Sequence, residues 1–387
     1  MIEDRIAGFA GELAAMRHDL HMHPELQFEE VRTGAIVARE LARYGYEVTA
    51  SVAGTGVVGT LKNGSGSRAI GIRADMDALP IHETTNLPYA SRSPGKMHAC
   101  GHDGHTTMLL GAARYLAETR KFSGTVHLFF QPAEEDVSGA KRMIEEGVFL
   151  RFRCDAIFAL HNIPGEEAGQ VTVRPGPITA AVDIVNVTVR GLGGHGALPH
   201  KATDPIVAAS GIVMALQSIV ARNVDPHDPA VITVGAFNAG SMATVIPGEA
   251  HLQVGVRTCT EEVRALLRKR ITELVAAQAK SYGCEAEIQY GHGYSYPPGV
   301  NTPELARLVR EVAVEMGQEP ARIDMRGPFM FSEDFAYIQQ LLPTCYFGLG
   351  NGDSRSLHDA AYDFNDELLV KGPAFWARLV EKFLASA

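Results

Sequence analysis

The chain has 387 residues, 46% of them hydrophobic and 21% charged, with a formal net charge of −10 at pH 7. That length is more than one hydrophobic core usually organises, so two domains are expected, and the composition is that of an ordinary globular protein. The negative charge, with no basic patch interleaved with aromatic residues, argues against a nucleic-acid partner.

No apolar run approaches the ~18 residues that a membrane helix needs, so no membrane association is expected. Met1-Ile-Glu-Asp-Arg-Ile6 carries acids where a secretory signal carries a basic segment. The cysteines (Cys100, Cys154, Cys259, Cys284, Cys345) are odd in number and scattered. That pattern belongs to a reducing compartment, and the expected location is the cytoplasm.

In chain order, residues 3–20 and 31–44 read as amphipathic helices, separated by a His-Pro-Glu stretch in which Pro24 interrupts helical hydrogen bonding. Short apolar runs at 56–61, 69–74, 125–130 and 156–160 have the length of buried strands, and 104–119 is helical in period. Val182–Arg190 then alternates at period 2, as a half-exposed strand does. A helix at 204–222, strands at 231–237 and 249–257, a helix at 260–282 and a strand at 285–290 follow. Residues 294–298 read as a linker. Helices near 302–316 and 366–386 flank a strand at 344–348 that returns to the first sheet.

The expected fold is therefore α/β. A catalytic domain with a central mixed sheet flanked by helices spans 1–181 and 293–387, and an α+β lid domain is inserted at 182–292.

Chemistry-bearing residues recur at the ends of the first set of strands, where open α/β sheets place their ligands. Cys100-Gly-His102 sits at a turn into the 104–119 helix, Glu134-Glu135 follows the 125–130 strand, and His161 ends the 156–160 strand. His358 follows Arg355-Ser-Leu357. Thiolate, imidazole and carboxylate all bind divalent transition metals, and a carboxylate left free beside them can deprotonate a water. Each alone has a bland alternative: a buried cysteine, a solvated glutamate pair, a structural histidine. Jointly they describe a two-metal hydrolytic site.

The motifs, in order, are Arg17-His-Asp-Leu-His-Met-His-Pro-Glu-Leu26, Arg73-Ala-Asp-Met-Asp-Ala-Leu-Pro80, His98-Ala-Cys-Gly-His-Asp-Gly-His105 and Gln131-Pro-Ala-Glu-Glu135. Gly193-Gly-His-Gly-Ala-Leu-Pro-His200, Ser332-Glu-Asp-Phe335 and Leu357-His358 complete the series. Together they resemble the aminoacylase/hippurate hydrolase branch of the co-catalytic metallopeptidases, which includes auxin-conjugate hydrolases and bacterial N-acyl amino acid hydrolases. The resemblance spans nearly the whole chain.

It implies two divalent ions (zinc, manganese, cobalt or nickel) held by Cys100, His102, Glu135, His161 and His358, with the Cys100 thiolate between them. It implies Glu134 as general base and Asp75 and Asp77 as supports behind the ligands. It also implies a lid that dimerises the enzyme, with His195 assisting the active site and Arg257 meeting the substrate carboxylate. The substrate would be a small N-acyl amino acid.

The chain departs from the family pattern at four places. Thr244 stands for an asparagine near the substrate, Val254-Gly255 for Gly-Thr, Phe331 for a glycine, and Asp136 for a small residue. No ligand is lost, but the pocket around Thr244 and Phe331 is altered, which makes hippurate itself a weaker expectation than the reaction. The alternatives on the same metal chemistry are a dipeptidase and an N-carbamoyl amino acid hydrolase. Two more distant ones are an amidase with Cys100 as nucleophile and a non-catalytic ligand-binding protein.

Overall fold

A computed structural model describes residues 1–135 and 139–385, with backbone only at 292–294. The departure at Asp136 and the last residue of the helix expected to reach 386 lie outside the described residues. The chain divides into two compact units, one of Met1–Ile178, Val300–Gly327 and Asp334–Ala387, the other of Thr179–Gly299 and Pro328–Glu333.

The first unit is built on the mixed sheet expected from the sequence. Its strands run Glu47–Val52, Gly56–Asn63, Gly124–Gln131, Ala69–Asp75, Ala156–Pro164, Thr344–Gly352 and Val171–Thr172. The middle four are parallel to one another and the outer pairings antiparallel. Parallel strands carry apolar side chains on both faces because both are covered. Ile70, Ile72, Val126, Leu128, Ala156 and Phe158 accordingly join the same core as the helices His102–Thr119 and Leu368–Phe383.

Three local expectations fail for identifiable reasons. The 3–20 helix is two, Ile2–Ala7 and Ala10–Met22, because Phe9 leaves helical geometry (φ −128°). Glu47–Val52 was not foreseen as a strand because it is a mostly uncovered edge with no apolar alternation. The final strand of the inserted region continues to Tyr296 through a register shift between Tyr290 and Ser295, where a linker was expected.

The second unit is a four-stranded antiparallel sheet in the order Ala230–Ala239, Glu249–Thr258, Ala181–Arg190, Glu285–Tyr296. Val185, Val187, Val189, Leu252, Val254 and Val256 alternate onto one face and pack against the helices Pro205–Asn223 and Glu261–Ser281. The helix Pro205–Asn223 corrects the expectation that no segment reaches membrane-spanning length, since its 19 residues are long and apolar enough by length and composition. Its Ala208, Ala209, Ile212, Leu216 and Ile219 are buried in this unit's core, while Val207 and Met214 face out. The helix is therefore apolar on more than its packed face, and composition alone does not distinguish it from a span.

Candidate metal centre

The carboxyl ends of the parallel strands converge in the first unit. Asp75 closes one strand opposite Gln131, and His161 lies opposite Gly348. Beside them the chain turns at Cys100-Gly101-His102. Gly101 has φ +87°, and a Cβ there would stand 2.4 Å from Asn162 Nδ2 and 2.6 Å from the Tyr362 hydroxyl, so only glycine fits. Asn162 Nδ2 donates to the Cys100 carbonyl (2.7 Å), and Tyr362 donates to Asn162 Oδ1 (2.7 Å). The His358 N–H donates to the Ala99 carbonyl (2.8 Å), which docks the C-terminal histidine beside the same turn.

Five sequence-predicted donors meet here. Cys100, His102 and His161 present ligand atoms within 4.8 Å of one another, and so do Cys100, Glu135 and His358. Cys100 belongs to both sets. Its Sγ is 3.3 Å from His161 Nε2, while His358 Nε2 is 3.3 Å from Glu135 Oε1. Glu134 groups with His102 and Glu135 in the same way.

The donor set suits divalent cations. His102 Nδ1 faces Asp77 Oδ1 at 3.2 Å, and its buried Nε2, 3.8 Å from Asp75 Oδ2, makes no hydrogen bond among the described residues, an arrangement suited to an imidazole whose second nitrogen holds an ion. Burial opposes a charge on His102, yet Asp75 and then Asp77 outweigh it and raise its pKa to about 10. A site that favours a proton so strongly is electronegative enough to favour a cation. Burial, with the neighbouring His105, pushes His161 well below its ordinary value, leaving the neutral imidazole that a metal requires. Burial, with Glu135 and Glu134, pushes the Cys100 thiol up, so a bound cation is what would keep it a thiolate.

The loop carrying the glutamates is tied at several points. Gln131 donates to both Asp334 oxygens (2.8 and 2.9 Å) and accepts from Arg73 Nε (2.9 Å). Arg73 also donates to Asp75 (2.7 Å) and Asp334 (3.0 Å). The Glu135 N–H donates to Asp77 Oδ2 (2.9 Å), and Ala133 takes a left-handed conformation, φ +51°. Asp75 and Asp77 thus stand behind the donors.

Sequence reasoning assigned no role to Arg73, Gln131, Asp334 or His105, although all four lie within the quoted motifs. His105 Nδ1 faces Asp75 Oδ1 at 2.6 Å, and its Nε2 accepts from the Asn162 N–H (3.1 Å), which fixes its proton on Nδ1. It braces Asp75 against the residue following His161.

The second unit holds the remaining predicted residues in two places. His195 pairs in register with Val245, and the next N–H, of Gly196, donates to the Thr244 carbonyl (2.8 Å), so His195 and Thr244 are neighbours. His195 is exposed, and its Nδ1 accepts from the Ala197 N–H (3.1 Å). Arg257 instead meets the segment containing Phe331, donating to the Met330 carbonyl (3.0 Å) and Ser332 Oγ (3.1 Å). Phe331 stacks on Phe329 with ring centroids 4.8 Å apart.

Comparison with known proteins places the whole chain among hydrolases. The chain is 43% identical over 380 residues to the hippurate hydrolase of Campylobacter jejuni, covering 98% of each. It is 37% identical over 376 residues to the N-acetyl-L-cysteine deacetylase of Bacillus subtilis, covering 97% of this chain and 89% of that one. A solved dinuclear metal binding peptidase from Bacillus subtilis superposes with a TM-score of 0.86 at 33% identity, over 98% of this chain and all of that one. The model of peptidase family M20/M25/M40 matches residues 71–382, and the chain belongs to that family.

Proposed function

We propose that this protein is a metal-dependent amidohydrolase that cleaves N-acyl amino acids to a carboxylate and a free amino acid. The observation that carries the reading is the sharing of Cys100 between two three-donor groups, with the Glu134 carboxylate beside them. The similarity to hippurate hydrolase and N-acetyl-L-cysteine deacetylase supports the substrate class.

In this reading Cys100, His102, Glu135, His161 and His358 hold two divalent ions, with Asp75 and Asp77 orienting the ligands. The ions supply Lewis acidity, lowering the pKa of a water and polarising the scissile carbonyl. Glu134 accepts the water's proton and passes it to the departing amine. His195 donates to the oxyanion that develops on the carbonyl, and Arg257 fixes the amino acid carboxylate with its planar fork. Thr244 and Phe331 shape the pocket: threonine offers one short hydroxyl where an amide would offer a separate oxygen acceptor and NH2 donor, and Phe331 adds an aromatic wall beside Phe329.

The thiolate favours softer ions such as zinc or cobalt over magnesium, with nickel and manganese as the other candidates. The second unit is the dimerisation lid, a reading supported by outward-facing Val207 and Met214 and by the sheet-edge strand Ala230–Ala239, with Val231 and Phe237 exposed. Five free cysteines are consistent with a reducing, cytoplasmic location.

A panel of N-benzoyl, N-acetyl, N-carbamoyl and dipeptide substrates, assayed with zinc, manganese, cobalt and nickel, tests the proposal. N-acyl amino acids should turn over, lose activity with chelator and regain it with metal. Chelator-resistant turnover abolished by Cys100→Ser would replace the reading with a thiol mechanism.

A further inference from the structure

The His-Pro-Glu motif near the N-terminus has no part in the function proposed above, yet the chain leads from it directly to a fully buried carboxylate, Glu30. Glu30 stands at the start of the helix Val31–Arg43, with its backbone carbonyl accepting from the Gly34 N–H (2.9 Å). Its side chain reaches away from that helix. Oε1 accepts from the Ala133 N–H (2.9 Å) and Oε2 from Thr55 Oγ1 (2.5 Å).

Ala133 is the residue before Glu134, and its φ of +51° is one that an L side chain avoids. On the other side of Glu134, the Glu135 N–H is held by Asp77. The N–H groups of the two residues on either side of Glu134 are therefore both captured by buried carboxylates, and that of Ala133 is captured by Glu30.

We propose that Glu30 is a positioning residue for the general base: by capturing the Ala133 N–H it holds the left-handed backbone that aims Glu134. The inference rests on the reading of Glu134 as base. Burial, then Asp77, raises the Glu30 carboxyl to about 7, against the opposing hydrogen bond from Thr55. What the geometry uses is the acceptor oxygen that Glu30 presents to the Ala133 N–H. Glutamine retains that acceptor and can donate to Thr55 Oγ1 in place of receiving from it. Alanine offers neither.

The test uses the metal-loaded enzyme and the best N-acyl amino acid substrate. Glu30→Ala should lower kcat about 10- to 100-fold, the scale of a misaimed catalytic group, with KM within about threefold and metal content unchanged. Glu30→Gln should restore kcat to within about threefold of wild type. Adding Ala133→Gly to Glu30→Ala should recover part of the loss, because glycine accepts φ +51° without strain.

A folded, metal-loaded Glu30→Ala with wild-type kcat overturns the proposal. So does a kcat that falls only in step with lost metal, or a double variant no better than Glu30→Ala. If Glu30→Ala does not fold, Glu30→Gln decides: near-normal kcat supports the acceptor role, and a large loss with intact fold and metals overturns it. Glu134→Gln is run alongside. If that variant turns over normally, the base assignment fails; if it is inactive while Glu30→Ala is normal, only the positioning role fails.

Discussion

The main-chain N–H of Asp334 lies 3.3 Å from Glu134 Oε1, although 200 residues separate them. Asp334 is itself fixed by Arg73 and Gln131, so the Glu134 carboxylate approaches a backbone held by the same network that ends the central strands. Glutamine at 134 keeps an oxygen for that N–H but has lost the basicity. Glu134→Gln should thus keep its fold and both metals while kcat falls about 10²- to 10⁴-fold, the usual contribution of general-base catalysis. Glu135→Gln should instead lose metal. Metal analysis beside steady-state kinetics separates the two, and exchanged phenotypes would show that base and ligand are reversed.

The Cys100 thiol, pushed up by burial and by Glu135 and Glu134, carries its proton at neutral pH in the metal-free protein. Metal uptake must expel that proton, so apparent affinity should weaken about tenfold for each pH unit lowered, per proton released. Calorimetric titration in two buffers of different ionisation enthalpy counts the protons. Cys100→Ala should release about one fewer than wild type. An equal count in both proteins would remove Cys100 from the metal shell.

Arg257→Ala should reduce kcat/KM at least about tenfold for free N-acyl amino acids, the loss of a charge-assisted contact. The corresponding amides and methyl esters, which present no carboxylate, should be affected far less. Because Arg257 also donates to Met330 and Ser332, an equal loss on both substrate types would mean that it serves that segment and not the substrate.

Asp183 is buried in the second unit, where it accepts from Arg264 (2.9 and 2.8 Å), Arg268 (3.0 and 2.6 Å) and Ser295 (2.8 Å). Burial opposes its charge, but the hydrogen bonds from Arg264 and Arg268 outweigh that and hold the carboxyl below the usual carboxylate range. Removing it takes the buried carboxylate from Arg264, which keeps only the exposed Glu261 (3.2 Å) as an ion-pair partner among the described residues, so Asp183→Ala should cost about 3 kcal/mol in urea unfolding of this unit. The folded pKa is the lower one, so the contribution is fully present above about pH 4, the unfolded value, and fades as pH falls through the folded value. A stability difference that instead grew with acid would contradict the pairing.

The side chains that cluster were readable because metal chemistry restricts the residue types that are candidates, and a strand-end turn restricts spacing: Cys100-Gly-His102 needs its glycine and shows it. The mixed sheet was readable because its central strands are uninterrupted apolar runs. What escaped is what has no local signature. Glu30 resembles any acid in a polar stretch, because the Ala133 N–H that it binds lies 103 residues away. Asp334 sits in a quoted motif, but the motif does not say that its side chain binds Arg73 and Gln131 while its backbone turns to Glu134. The edge strand Glu47–Val52 is exposed, so burial left no periodic mark on it.

The two donor groups that share Cys100 differ in when the chain can assemble them. Cys100, His102 and His161 all precede residue 162, and the strand that ends in His161 pairs with Ala69–Asp75, which also precedes it. The other group waits for His358, beyond the strand Thr344–Gly352 that must first add itself beside Ala156–Pro164. During synthesis the first donor group can form in a partial polypeptide, but the second only in one that has completed its sheet. A ligand that binds only the finished state stabilises only that state. Scarcity of the metal would then be felt first as a shortage of mature enzyme, with unfinished chains left open to proteolysis.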